Sequence, residues 1–336
     1  MRAGSVLLLV VALSAACRAL GSDGDAATPP PAADGGVSLA RADEAVPPPD
    51  AAVTVQSQAG PAAFDGARAW THLQQQVALG PRPAGSAALE ACRRYIIEHL
   101  QGARIGTRQQ AFIAQTPAGE VPMINVIGTI PGRRRERIIL ATHVDTKRAP
   151  FRFVGANDGA SSTAVVLELA RVLRSSQPEY TIELLFLDGE EAVNWDWGVT
   201  GVDNTYGSRY YVDDARRAGT LRDIAALVLL DMVGEPGPRF LREANSTPWL
   251  VDAIWATARR LGHGAAFPND ATPVEDDHVA FLRAGVPAVD VIDIDYPPWH
   301  TADDDLDHVS RESLQIVGDV ILAAIPEIAR LAPPRP

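Results

Sequence analysis

The sequence contains very little cysteine. Only Cys17 and Cys92 occur among its 336 residues, which excludes the framework of disulfide bonds that many small secreted domains use. Basic residues are also in the minority, because 30 lysines and arginines stand against 42 aspartates and glutamates, for a formal net charge of −12. Nucleic acid is therefore not expected as a partner.

Long hydrophobic runs are absent as well. The longest, at residues 6–13, follows the basic Arg2 and is too short to cross a bilayer as a permanent helix. It leads into "SAAC", which ends at Cys17, and this order of basic, apolar and small residues is typical of a secretory signal. The ending resembles the cleavage site of bacterial lipoproteins. We therefore expect a signal peptide over residues 1–16, lipidation of Cys17 and export to the periplasm or cell surface, with plain secretion as the alternative.

Aromatic residues are missing from the segment that follows. Residues 17–63 are rich in proline, alanine and aspartate, and a chain of this composition cannot build a core. We expect a disordered tether there and one folded domain over residues 64–336. Contact with a membrane is then expected only through the lipid anchor, and a monomer is expected by default.

Helical and strand-like patterns alternate in the rest of the chain. Residues 181–188 and 224–234 are nearly continuous apolar runs, typical of strands that are covered on both faces. Residues 160–173 have the apolar spacing of a helix, and Cys92 falls at an apolar position of another predicted helix, where we expect it in the core. The alternation predicts an α/β fold, a single-domain α/β/α sandwich with a mixed, mostly parallel central sheet.

Acidic residues and histidines follow several predicted strands where each strand ends. They are His143, Asp145, Asp188, Glu190, Glu191, Asp231, Asp290, Asp293, Asp295 and His300. Because the ligand crevice of an open α/β sheet lies at the carboxyl ends of its strands, we expect these side chains to converge. Crowded carboxylates repel each other, and a divalent metal is the usual neutralising partner. Histidine with carboxylates and without cysteine indicates zinc in a catalytic site.

The order of these residues resembles that of the zinc aminopeptidase superfamily, and within it the glutaminyl cyclase (glutaminyl-peptide cyclotransferase) branch. The motifs are His143-x-Asp145, "GANDGAS" at 155–161, "GEE" at 189–191, Leu230-Asp231 and "PPWHT" at 297–301. The segments "AVNWDW" at 192–197 and "VEDDHVAFLRAGVP" at 274–287 are similar to the cyclase pattern in particular. Simple aminopeptidases usually place a Gly-Ser pair closer to the two glutamates than Gly207-Ser208 lies here.

The resemblance implies a fold like that of zinc aminopeptidases and a reaction that converts the N-terminal glutamine of peptides or proteins to pyroglutamate, with release of ammonia. One zinc ion is implied, with Asp158, Glu191 and His300 as its ligands. Glu190 is implied as the general acid–base. Asp231 and Asp276 are implied to position the substrate and the transferred proton, and the implied residues of the substrate pocket are Trp299, Trp195 and Asp290. Asp290 stands where cyclases commonly have histidine, so the charge of that network differs here.

Two alternatives remain open. A two-zinc aminopeptidase would use the same three ligands and would bind a second ion at His143 and Asp231, with Asp158 bridging both ions. A non-enzymatic binding domain on this fold is the less favoured alternative, because neither a ligand type nor the base is missing.

The remaining histidines and loop acids have simpler expected roles. His72 and His99 are expected at the surface or the boundary of the core, and His278 is expected to brace the loop of the acid pair that precedes it. Solvated loop acids are expected at Asp196, Asp203 and Asp303–Asp305.

Overall fold

The computed structural model describes residues 62–194, 196–198 and 201–333, all of which belong to one compact unit. The predicted signal peptide, Cys17, nearly all of the predicted tether, and Trp195 lie outside the described residues. Within those ranges, no helix combines the length and the apolar character needed to cross a membrane.

Eight strands are present in the described part of the chain. They are β1 (Gly106–Thr116), β2 (Gly119–Ile130), β3 (Arg134–His143), β4 (Tyr180–Leu187), β5 (Ile224–Asp231), β6 (Arg242–Glu243), β7 (Ala271–Thr272) and β8 (Ala288–Ile292). Six of them form the central sheet in the order β1-β2-β4-β3-β5-β8, while β6 and β7 form a small sheet of their own. The β3–β4, β3–β5 and β5–β8 pairs are parallel, and the β1–β2 and β2–β4 pairs are antiparallel. The predicted mixed, mostly parallel sheet is confirmed.

Helices cover both faces of this sheet. They are α1 (Gly66–Ala78), α2 (Ala87–Gly102), α3 (Ala160–Leu173), α4 (Tyr206–Arg217), α5 (Pro248–Arg260), α6 (His278–Arg283) and α7 (Arg311–Leu331). Successive strand residues point to opposite faces, so Leu184 and Phe186 of β4 pack in one core with α1, α2, α3, α5 and α7. Leu185 and Leu187 pack in a second core with α4 and α6. The predicted α/β/α sandwich is therefore confirmed.

The packing of α1 against α2 buries polar side chains as well as apolar ones. Cys92 is a free thiol with no exposed surface, as predicted for a core residue. His72 of α1 is half-buried, and its Nδ1 lies 2.7 Å from the hydroxyl of Tyr95 on α2. The ring centroids of His72 and His99 are 4.9 Å apart. Burial, followed by the charges of His99 and Arg68, lowers the pKa of His72 to about 4.

The pKa of His72 gives the protein an acid-sensitive stability. Between pH 6.5 and pH 4 the unfolded chain binds a proton at His72 that the folded protein does not bind, so stability falls as the pH drops. The loss at pH 4 is on the order of 3 kcal/mol. We expect the midpoint of urea unfolding to depend less on pH in His72→Gln than in the wild type over this window. His308→Gln, at an exposed histidine, is the matched control. If the midpoint of urea unfolding changed with pH by the same amount in the wild type and in His72→Gln, the prediction would be contradicted.

Candidate active site

The carboxyl ends of the parallel strands open into a cleft of about 360 Å³. Acidic, aromatic and aliphatic side chains from several separate segments form its walls. The lining residues are Asp158, Glu190, Glu191, Trp197, Asp231, Met232, Pro273, Val274, Glu275, Asp276, Ile292, Ile294, Trp299 and His300. Of the residues that were predicted to converge at this edge of the sheet, Glu190, Glu191, Asp231 and His300 lie in the cleft wall.

A tight turn after β4 delivers the two adjacent glutamates to the cleft. Gly189 has a φ of 71°, and a Cβ at this position would lie 2.3 Å from the Met123 sulfur. Only glycine combines this backbone conformation with so little space. The backbone amides of Glu190 and Glu191 then donate to the two carboxylate oxygens of Asp145, each at 3.2 Å. Asp145, at the end of the "ATHVD" motif, thus holds the glutamate pair in place.

Asp158, Glu191 and His300 form one cluster of candidate metal ligands, with one ligand atom of each within 4.8 Å of the others. His300 Nε2 lies 3.4 Å from Asp158 Oδ2 and 3.4 Å from Glu191 Oε1. Burial lowers the pKa of His300, but its hydrogen bonds to the two carboxylates raise it overall to about 9. His300 also has a φ of 54°, a strained backbone of the kind that is concentrated at functional sites. Two carboxylates and one imidazole are a fitting donor set for zinc.

His143, Asp158 and Asp231 form a second cluster. His143 Nε2 lies 3.0 Å from Asp231 Oδ1 and 3.2 Å from Asp158 Oδ1. Asp158 belongs to both clusters, and the two oxygens of its carboxylate face different histidines. The ligand sets of the one-zinc and the two-zinc alternatives are thus both present.

A buried lysine accompanies the first cluster. Lys147 is 1% exposed, and its Nζ lies 3.5 Å from Glu191 Oε2. One oxygen of Glu191 therefore faces His300 while the other faces a cation. Sequence reasoning missed Lys147, whose only distinguishing mark is its position two residues after Asp145.

Glu190 lies in the cleft wall and is 5% exposed. Burial raises the pKa of its carboxyl well above the usual range; the nearby His143 opposes this, and the charges of Asp276, Glu191 and Asp277 add to it. A bound cation would act in the opposite direction. Glu190 is therefore placed among groups that can move its pKa toward the values required of a general acid–base.

Asp231 and Asp276 both line the cleft. Asp276 is 4% exposed, and burial followed by the charge of Asp231 raises its pKa to about 6. Trp299 also lines the cleft, 40% exposed, and its ring stacks on that of His300 at 4.3 Å. Trp197 provides a further aromatic lining residue.

Asp290 does not lie in the cleft wall, and the prediction that placed it there is wrong. It has no exposed surface and stands on β8 two residues before Ile292, which does reach the cleft. Its Oδ2 lies 3.8 Å from Nδ1 of His278, which is also fully buried. The strand continues past Asp290 before it reaches the sheet edge, so this carboxylate lies behind the cleft.

Asp304 and Asp203 were expected in solvated loops, and those predictions are also wrong. Both side chains are buried, and they hold loops in place through hydrogen bonds. Asp304 accepts hydrogen bonds from the amides of Asn157 and Asp158, at 2.7 and 3.1 Å, and from the Tyr296 hydroxyl at 3.0 Å. It thereby fixes the loop that carries Asp158, the candidate ligand common to both clusters. Asp203 accepts from the amides of residues 193 and 194 and from the hydroxyl of residue 206.

Comparison with known proteins gives one family. The description "Peptidase family M28" matches residues 125–325. A glutaminyl-peptide cyclotransferase from Bos taurus is 31% identical over 288 residues, which cover 74% of this chain and 79% of the relative.

Solved structures that are similar to this chain include proteins described as glutaminyl cyclases and a protein described as an aminopeptidase precursor. A glutaminyl cyclase from an Acidobacteriales bacterium is 39% identical, with a TM-score of 0.76, over 82% of this chain and 98% of the other. A structure described as a leucine aminopeptidase precursor from Bacteroides thetaiotaomicron is 28% identical, with a TM-score of 0.73, over 79% of this chain and 98% of the other. Similar structures therefore carry both a glutaminyl cyclase and an aminopeptidase description.

Proposed function

This chain belongs to peptidase family M28, in its glutaminyl-peptide cyclotransferase branch, and we propose that Glu190, Asp231 and Asp276 carry its reaction beside one zinc ion held by Asp158, Glu191 and His300. The reaction converts an N-terminal glutamine to pyroglutamate and releases ammonia. The proposal rests above all on Glu190, a buried acid that lines the same cleft as the ligand cluster and Asp276.

Zinc, when bound, would supply a Lewis acid that polarises the γ-amide carbonyl of the glutamine. The protein residues then have to manage one proton. As the α-amine forms its bond to the carbonyl carbon of the γ-amide (Cδ), Glu190 takes a proton from that amine, and it returns the proton to the departing nitrogen as the original Cδ–N bond breaks. A carboxyl with a raised pKa can act in both directions.

Asp276 and Asp231 are proposed to accept hydrogen bonds from the N–H groups of the substrate. The cleft is small enough to hold the glutamine side chain folded back on its own amine, which keeps the two reacting groups of this intramolecular reaction close together. Trp299 and Trp197 form apolar wall surface beside these acids, and such surface displaces the water that would otherwise compete with the amine.

The two-zinc aminopeptidase remains a second candidate because of one observation. His143, Asp158 and Asp231 lie close enough together to hold a second ion. In that case water rather than the α-amine would be the nucleophile, and the product would be a free amino acid.

Products distinguish the candidates. The purified protein should release ammonia from a peptide with N-terminal glutamine and should leave a peptide with N-terminal leucine intact, with one zinc per chain by elemental analysis. Release of free leucine, with two zinc ions per chain, would instead establish the aminopeptidase. Inactivity on both peptides with zinc bound would indicate a binding domain.

The N-terminal segment adds a proposal about location. Residues 1–16 are proposed as a signal peptide, Cys17 as a lipidated anchor, and the segment that follows as a tether for a monomeric catalytic domain over 64–336. The support is the order of basic, apolar and small residues ahead of Cys17 and the proline-rich composition after it.

A further inference from the structure

Glu243 is a buried carboxylate outside the cleft with an unusual number of hydrogen bonds. It lies on β6 and is 2% exposed. Its Oε1 accepts from the backbone amide and the Nδ2 of Asn245, each at 2.9 Å, and from the amide of Val274 at 3.0 Å. Its Oε2 accepts from the amide of Ser246 at 2.6 Å, from the Ser246 hydroxyl at 2.8 Å and from Nε2 of His278 at 3.1 Å. Six donors thus converge on one side chain.

Two of these donors lie on either side of Asp276. Val274 precedes Asp276 by two residues, and His278 follows it by two. The Asp276 side chain itself accepts a hydrogen bond from the neighbouring amide of Asp277, while its Oδ2 has no hydrogen-bond donor within the described ranges. Local contacts therefore do little to fix this carboxylate, and its position depends on how the two ends of the segment are held.

The Glu243 carboxylate also connects residues 274–278, the segment that carries Asp276, to the central sheet. The Ser246 hydroxyl donates to Glu243 and accepts from the backbone amide of Asp290 on β8, at 3.1 Å. His278 contacts Glu243 through Nε2, and its other ring nitrogen, Nδ1, faces the Asp290 carboxylate. Glu243 consequently ties the segment that carries Asp276 to the strand behind the cleft.

The charge of Glu243 is what allows all these contacts. Burial raises the pKa of its carboxyl, but the hydrogen bonds from His278 and from the amides of Asn245 and Val274 lower it overall to about 2. Both oxygens are therefore acceptors at any pH at which the enzyme works. A glutamine at this position would direct an NH₂ group at donors that need an acceptor, and each unsatisfied buried group is costly.

We propose that Glu243 is a positioning residue of the cyclisation, which holds residues 274–278 so that the Asp276 carboxylate meets the substrate. The expected effect of Glu243 on turnover rests on the proposed function. Because misplacement of a group by about 1 Å can cost about 10²-fold in rate, we expect Glu243→Gln to lower kcat by roughly 10- to 100-fold. KM should change less than kcat, and the zinc content should stay the same, since Glu243 belongs to neither ligand cluster.

A matched control separates positioning from general destabilisation. Glu183 on β4 is 4% exposed and accepts hydrogen bonds from Arg137, at 3.0 Å, and from Tyr211. It is equally a buried, hydrogen-bonded carboxylate, and it does not line the cleft. Glu183→Gln should lower the unfolding midpoint and leave kcat per folded molecule unchanged.

A double-mutant cycle tests whether Glu243 acts through Asp276. In an Asp276→Asn background, Glu243→Gln should lower kcat no further, because the group that it positions is already gone. An undiminished effect in that background, or an unchanged kcat in the single variant, would overturn the proposal. If Glu243→Gln does not fold, Ser246→Ala removes one donor and the link to β8, and it should show a smaller loss with the same non-additivity.

Hydrogen exchange gives a readout that does not need the reaction. Amides 274–278 should exchange faster in Glu243→Gln than in the wild type, and Glu183→Gln should leave them unchanged. Unaltered exchange in Glu243→Gln would refute the positioning role whatever the enzyme catalyses. An inactive wild type, in contrast, would overturn the proposed function alone.

Discussion

Glu190→Gln is expected to lower kcat by about 10³-fold, a typical contribution of general acid–base catalysis, while the protein keeps its zinc. The side chain keeps its shape but can no longer take the proton of the attacking amine or return it to the departing nitrogen. Glu190 lies beside the ligand cluster without belonging to it, so the metal should stay in place. Steady-state kinetics on an N-terminal glutamine peptide, with elemental analysis of the same sample, measure both quantities.

The neighbouring carboxylate provides the comparison. Glu191→Gln should lose zinc as well as activity, because Glu191 Oε1 faces the same space as Asp158 and His300. Excess zinc in the assay should restore part of the activity of Glu191→Gln and none of that of Glu190→Gln. If Glu190→Gln lost its zinc as readily as Glu191→Gln, the roles assigned to the two glutamates would be wrong.

Removal of zinc by a chelator is expected to abolish turnover and to lower Tm substantially. Asp158 and Glu191 are both nearly buried, so without a cation their charges repel each other in a poorly solvated space. A ligand at a thousand times its Kd stabilises the folded state by about 4 kcal/mol. For a domain of this size that corresponds to a fall in Tm on the order of 10 °C. Differential scanning fluorimetry before and after chelation measures the change.

Zinc added back in known amounts completes this experiment. One equivalent per chain should restore both activity and Tm, whereas a requirement for two equivalents would indicate that the His143–Asp231 cluster is filled as well. Asp158→Asn is the matched control, since a variant that lacks the shared ligand should have a Tm that does not respond to the chelator. An unchanged Tm in the chelated wild type would contradict the stabilising role of the metal.

Much of the fold and of the ligand set could be predicted from the sequence because both depend on local patterns. Apolar runs that end in acids, as at Asp188 and Asp231, mark strands and the sheet edge at which they stop. His300 was proposed from its motif, and it lies beside Asp158.

The rest depends on tertiary contacts that leave no periodic pattern. Asp304 stands in a run of three aspartates that indicates a solvated loop, yet only the middle one is turned inward. Asp290 looked like a cleft residue because its strand ends in acids, but its distance from the sheet edge is set by the register of β8. Glu243 lies on a strand of two residues, which is too short for any alternation to be recognised.

Asp158, Glu191 and His300 come from loops that are widely separated along the chain, and Asp158 and His300 lie more than a third of its length apart. No short fragment can therefore bring the three together, and the unfolded chain offers zinc only isolated side chains. Binding must follow assembly of the sheet, since strands from both halves of the domain have to be paired before the ligands meet. We therefore expect the chain to fold first and to acquire zinc afterwards, so that zinc uptake would mark the completion of folding.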